Sequence, residues 1–137
     1  MTVTIDIDYE GGLHTTAKHG PSGDCVSTDA PVDNNGKGEA FSPTDLASAS
    51  LGCCMLTVMG IKAEQKGIDM AGARAQVRKH MSTDTPRRIA KLEVDITMPL
   101  PEDHPHKELL VATGNACPVK KSLHPDIEVI VNWAWKG

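Results

Sequence analysis

An α+β fold, with antiparallel sheet packed on one long helix and a second helix, is predicted by three observations. Apolar and polar residues alternate with period two in several separate stretches, a long apolar run with helical spacing opens at Ser42-Pro43, and no internal repeat or low-complexity segment interrupts the chain. At 137 residues the sequence fits a single domain, 1–137, large enough to bury one core without staples.

The elements follow in order. In TVTIDIDY, Val3, Ile5 and Ile7 alternate with Thr4, Asp6 and Asp8, the pattern of a half-buried strand. Gly11-Gly12 turns it, LHTTAKH reads as the return strand, and a third short strand is expected over 24–28. The run APVDNNGKGEAFS is a loop by composition. Ser42 is placed as the N-cap of the long helix, with Pro43 at its first position and Asp45 in the first turn, where negative charge suits the helix dipole. The helix is expected to run to about Lys66 and close on Gly67. Leu46, Leu51, Cys54, Met55, Val58 and Ile61 cover well over half its circumference, which predicts a core helix. Two strands follow: Ala71, Ala73, Ala75 and Val77 alternate with polar residues, as do Leu92, Val94, Ile96 and Met98 after a turn near Thr85-Pro86. HKELLVATGNA forms the second helix, and DIEVIVNWAW a last strand with Ile127, Val129, Val131, Trp133 and Trp135 on one side.

Charged residues make up 23% of the chain and the net charge is −4, so neither a nucleic-acid surface nor an anionic-membrane surface is expected. No charged leader followed by an apolar run opens the sequence, and no apolar stretch is read as reaching the roughly 18 residues of a membrane span. A cytoplasmic protein is the expectation.

Four cysteines, Cys25, Cys53, Cys54 and Cys117, do not describe a secreted disulfide framework. A vicinal pair in a helix cannot bridge, because neighbouring side chains diverge by about 100°. In a reducing compartment such thiols are buried hydrophobes, metal ligands or redox catalysts. Without C-x-x-C or H-x-x-x-H spacing, no metal site and no cofactor are expected, and a Cys-His hydrolase lacks any local signature. His104 and His106, in PEDHPHKE, belong to a solvated loop and helix start. Cys25 reads as a structural strand residue.

Cys117 stands before Pro118 in NACPVKKSLHP, so it falls near a helix N-cap where free backbone N–H groups stabilise a thiolate. Lys120 and Lys121 add to this if they fold back toward the sulfur. On position alone, Cys117 is the better thiolate: Cys54 sits mid-helix among apolar neighbours, where a thiolate needs a cation close by.

Together, SPTDLASASLGCC and CPVKKSL resemble the OsmC/Ohr superfamily, in which a proline-initiated central helix carries one reactive cysteine and a Cys-Pro helix start carries the second. The family spacing of eleven residues from the proline leads from Pro43 to Cys54, with Cys53 at the neighbouring small-residue position. The order of elements along nearly the whole chain is also similar. The resemblance implies an OsmC-like fold assembled as an intertwined homodimer. It further implies thiol-dependent reduction of organic hydroperoxides in oxidative-stress defence, with Cys54 as peroxidatic thiol, Cys117 as resolving thiol and a dithiol as reductant. The family's peroxidase branch has an arginine after the Gly-Gly turn and a glutamate after the helix-initiating proline. Leu13 and Thr44 stand there in this chain, so the resemblance is to the OsmC-like branch. Lys18, His14, His19, Arg74 and Arg78 are then the candidate cations for Cys54, and Asp45 a candidate to hold one. The alternative on the same fold is a non-catalytic module with an apolar pocket beside Cys54 for an acyl or other small hydrophobic ligand.

Overall fold

The structure, a computed structural model, describes residues 1–137. The chain divides into two compact units, Met1–Leu46 and Ala47–Gly137.

The first unit is a three-stranded antiparallel sheet, β1 (Ile5–Gly11), β2 (His14–His19) and β3 (Cys25–Asp29), in the order β1-β2-β3. The three expected strands are present with shifted ends. The β1–β2 connection runs through Gly11, Gly12 and Leu13 at φ of 82°, 60° and 61°. Leu13 thus holds a left-handed conformation that costs a side chain about 1–2 kcal/mol. The register sets Ile7 opposite Ala17 and Ala17 opposite Val26, so the apolar residues share one face. The first unit has nothing of its own over that face: Ile5, Ile7, Tyr9 and Val26 are all exposed, where half-burial is the sequence expectation. The loop at 30–42 carries only a 3-10 turn at Val32–Asn34.

Helix α1 spans Pro43–Gln65. Its start is a capping box: Asp45 N–H donates to Ser42 Oγ at 3.0 Å, and Ser42 N–H donates to Asp45 Oδ2 at 3.0 Å. Its end is a Schellman turn on Gly67, at φ 68°, with Ile68 N–H donating to the Ala63 carbonyl and Gly67 N–H to that of Glu64. By length and composition α1 could cross a bilayer, with mean hydropathy 1.5 over an 18-residue window, contrary to the expectation that no stretch is long enough. Such a helix is equally the core helix of a globular fold. Here Ser48, Leu51, Gly52, Met55, Met59 and Ala63 form one buried stripe. The stripe is narrower than the sequence implies: Val58 is half-buried, and Cys53 and Ile61 are exposed.

The second unit completes itself with β4 (Arg74–Met81), β5 (Ile89–Met98), α2 (Lys107–Asn115), α3 (Pro118–Ser122) and β6 (Glu128–Trp135). The β4–β5 turn includes a cis Thr85-Pro86 bond. The sheet order is β4-β5-β6, with β4 antiparallel to β5 but β6 parallel to it. The expectation of a purely antiparallel sheet is corrected on this point, because the chain leaves β5, runs through α2 and α3, and returns in the same direction beside it. Leu92, Val94, Ile96 and Met98 of β5 are fully buried, as their alternation predicts. Two close approaches seat the helices. A Cβ built on Gly52 would lie 2.9 Å from Val77 Cγ2 of β4, and one on Gly114 of α2 would lie 2.9 Å from Met59 Sδ of α1.

Candidate functional site

The two cysteines singled out by the sequence come together within the second unit. Cys54, midway along α1, is partly exposed, and Cys117, at the cap of α3, is completely buried. Cys54 packs against the core cluster that contains Cys117 and lies near enough to act on its thiol. All four cysteines are free thiols.

Why the sequence folds this way locally is plain from the caps. Pro118 has no N–H to lose at the first position of α3, and Cys117 has extended backbone (φ −62°, ψ 144°), so its Sγ accepts the Lys120 N–H at 3.3 Å. The Val119 N–H also acts on this sulfur. The backbone donors predicted from the Cys-Pro pair are therefore present. Burial nevertheless pushes the Cys117 thiol up from its ordinary value, the neighbouring Cys54 thiol pushes it further, and the backbone donors oppose this only in part. Burial thus works against the thiolate that the helix start favours at Cys117. Nor does Lys120 fold toward the sulfur: its Nζ donates to Asn115 Oδ1 at 3.3 Å. Asn115, which the sequence reading passed over, fixes that side chain on the turn between α2 and α3.

The candidate cations are placed as follows. Arg78 and Arg74 alternate along β4 with Ala75 and Val77, which face Gly52 of α1, so both arginines lie on the opposite face of the sheet from the helix. There Arg78 donates to Asp95 Oδ2 at 2.5 Å and to Glu93 Oε2 at 3.1 Å, while His80 meets Glu93 at 2.6 Å and Asn132 donates to Asp95 at 2.9 Å. Within one chain, neither arginine serves Cys54.

In the first unit, His19 Nδ1 meets Ser22 Oγ at 2.5 Å. His14 Nδ1 meets Asp29 Oδ1 at 2.6 Å, and Asp29 Oδ2 accepts the Glu39 N–H at 3.1 Å. The hydrogen bond from His14 holds the buried Asp29 carboxyl below its ordinary value, with the Glu39 N–H adding to it against the cost of burial. Asp45 has one oxygen committed to the capping box, so its first-turn role is the one the structure displays. Cys53 and Cys25 are exposed, the latter at the start of β3 rather than in a core.

Two clefts of the chain are lined by other residues than Cys54. One of about 560 Å³ lies between α2 and the end of β6, walled by Val111, Ala112, Trp133 and Trp135, with Lys107 Nζ 5.5 Å from the Trp135 ring centre. The other, about 380 Å³, is polar and includes His14, Asp29 and Lys37.

A paired thiol at a helix centre and a Cys-Pro helix start, on this order of strands and helices, define a class. The sequence pattern of the OsmC-like protein family matches residues 36–132, and the chain belongs to that family. A Psychrobacter arcticus protein named for osmotic stress induction and a detoxification response is similar at 48% identity over 97% of this chain and 96% of its own, with a TM-score of 0.90. The fold is also that of an OsmC-like protein from Mycoplasma pneumoniae, at 17% identity and TM-score 0.82 over 100% of this chain and 99% of that one. An organic hydroperoxide resistance protein OsmC from Legionella pneumophila shares it at 14% identity and TM-score 0.77, over 98% and 97% of the two chains. No curated protein matches the sequence.

Proposed function

We propose that this protein is a thiol peroxidase for organic hydroperoxides, with Cys54 as the attacking thiol and Cys117 as the resolving thiol. The observation that carries the reading is the nearness of Cys54, in the middle of α1, to Cys117 at the cap of α3. Family membership and the name of the Legionella structure support the choice of substrate class.

The chemistry assigns different work to the two thiols. Cys54 is partly exposed, so a hydroperoxide reaches it; Cys117 is buried, with burial opposing its thiolate, so it is the poorer first nucleophile. The Cys54 thiolate attacks the terminal oxygen of ROOH, the O–O bond breaks, and Cys54 sulfenic acid and an alcohol result once the alkoxide takes a proton. The Cys117 thiol then condenses with the sulfenic acid, forming the disulfide and releasing water. An external dithiol returns both sulfurs to thiols and becomes a disulfide itself.

The working protein on this reading is a homodimer. Its support is the apolar face of β1–β3 and the apolar residues of α1 that the single chain leaves exposed, Ile7 and Ile61 among them.

Cumene hydroperoxide consumption with a dithiol present tests the reading. Cys54→Ser abolishes it, and Cys117→Ser permits about one turnover before sulfinic acid accumulates at Cys54. Absence of both turnover and a Cys54–Cys117 crosslink in the parent protein would remove the peroxidase reading in favour of a binding module.

A further inference from the structure

We infer that the dithiol regenerating this protein attacks the Cys54 sulfur of the Cys54–Cys117 disulfide, so that the mixed disulfide forms on α1 and Cys117 is the leaving thiol. The inference rests on the peroxidase reading for its place in a catalytic cycle, but the direction of exchange follows from the unequal burial of the two cysteines.

Thiol–disulfide exchange is an in-line displacement. The attacking sulfur, the attacked sulfur and the leaving sulfur lie nearly on one line, and access decides which end of the bond reacts. Cys117 has 0% of its surface exposed and belongs to the core cluster with Leu110 and Met59. An attack on Cys117 would have to reach a residue with no exposed surface. An attack on Cys54 meets a residue that is partly exposed. Access therefore favours Cys54.

At the leaving group, burial works against the Cys117 thiolate and two backbone donors offset it in part. When a reductant thiolate bonds to Cys54, the S–S bond breaks and its electron pair goes to Cys117 Sγ. That sulfur accepts the Lys120 N–H at 3.3 Å and is also acted on by the Val119 N–H, so two backbone donors meet the charge as it develops. Cys117 then takes a proton. The second thiol of the dithiol attacks its own mixed disulfide, expels Cys54 as thiolate and leaves as an internal, cyclic disulfide. One dithiol is oxidised for each protein disulfide reduced. Cys117 would consequently never bond to the reductant, and the partner need reach only the surface of α1 around Cys53 and Cys54.

The test uses Cys25→Ser/Cys53→Ser protein, which removes the exposed thiols that would scramble the assignment. The protein is oxidised with diamide, exposed briefly to limiting N-acetylcysteine, quenched in acid and mapped by peptide mass spectrometry. At least tenfold more adduct is expected on Cys54 than on Cys117; equal amounts, or an excess on Cys117, would overturn the inference. A second measurement needs no trapped intermediate. In the same background, Ellman's reagent should label Cys54 in the Cys117→Ser variant at least tenfold faster than Cys117 in the Cys54→Ser variant, and comparable rates overturn the inference equally. If diamide forms the disulfide but cumene hydroperoxide does not, the peroxidase reading fails while the direction of exchange still receives its answer from the mapped adduct. If neither oxidant joins the two sulfurs, the inference itself is overturned.

Discussion

Two three-stranded sheets in this molecule carry the same kind of pattern and meet opposite fates. In β5, Leu92, Val94, Ile96 and Met98 alternate with polar residues and are buried to within 1%. In β1, Ile5, Ile7 and Tyr9 alternate equally well and remain 56–67% exposed. The difference is in the partners each unit supplies: β5 has α1 and its neighbouring strands in its own core cluster, whereas the first unit contributes no member to that cluster. Alternation states which face is available to be covered; it does not say what covers it.

The largest effect that sharpens the comparison is a truncation made in both sheets. Ile96→Ala removes a fully packed side chain and should cost about 2–5 kcal/mol in denaturant unfolding. Ile7→Ala, in the same measurement under monomeric conditions, should cost well under about 1 kcal/mol. Comparable losses would show that the β1 face is covered within the chain.

Gly52→Ala comes next. The new Cβ would stand 2.9 Å from Val77 Cγ2 and 3.5 Å from Ala75 Cβ, so α1 or β4 must yield. Overpacking of this kind costs about 1–3 kcal/mol, and it acts two residues before Cys54. A loss of stability with the Cys54–Cys117 crosslink still forming would show that the contact tolerates a shift of the helix; loss of the crosslink would show that it depends on this seating.

What the sequence makes legible follows the same division. The β4, β5 and β6 alternations and both ends of α1 are local patterns with local causes: Ser42 and Asp45 cap each other, and Gly67 takes the left-handed turn. The exposed side of α1 was not legible, because Ile61 and Val58 are as apolar as Met59 and only tertiary placement separates them. The parallel pairing of β6 was not fixed by the sequence pattern, since a long connection through helices permits a parallel or an antiparallel return. The meeting of Cys54 with Cys117 has no periodic signature and reached the reading through family resemblance. The burial of Cys117 was hidden by its polar neighbours, Asn115, Lys120 and Lys121, which point their polarity at one another and at solvent.

On the polar side of the first sheet, Asp29 offers a pH-dependent contrast with the apolar side. Its carboxyl is held low chiefly by the hydrogen bond with His14, so the stabilisation it provides is complete above the unfolded carboxylate value of about 3.9 and is lost as pH falls through the lower folded value. Asp29→Asn should therefore lower Tm at neutral pH, with the gap from the parent protein closing below about pH 4. A gap that stays constant down to pH 2 would mean that the charge is not what joins β2, β3 and the Glu39 loop.

The smallest effect on the chain's own stability is expected from Ile7→Thr, which also bears on the question the comparison raises. The residue is 65% exposed and threonine suits a strand, so in dilute, monomeric protein the two forms should unfold within about 0.5 kcal/mol of each other. If a second copy of this chain covers the β1 face, the forms part as concentration rises. The parent gains stability by mass action, so its Tm climbs with protein concentration and it sediments as a dimer at micromolar levels. The variant should show a smaller climb and dissociate at higher concentration, because the apolar surface lost from Ile7 is lost at the interface alone. A parent protein that sediments as a monomer throughout, with a Tm independent of concentration, would eliminate a second copy as the cover and leave the face to a different partner.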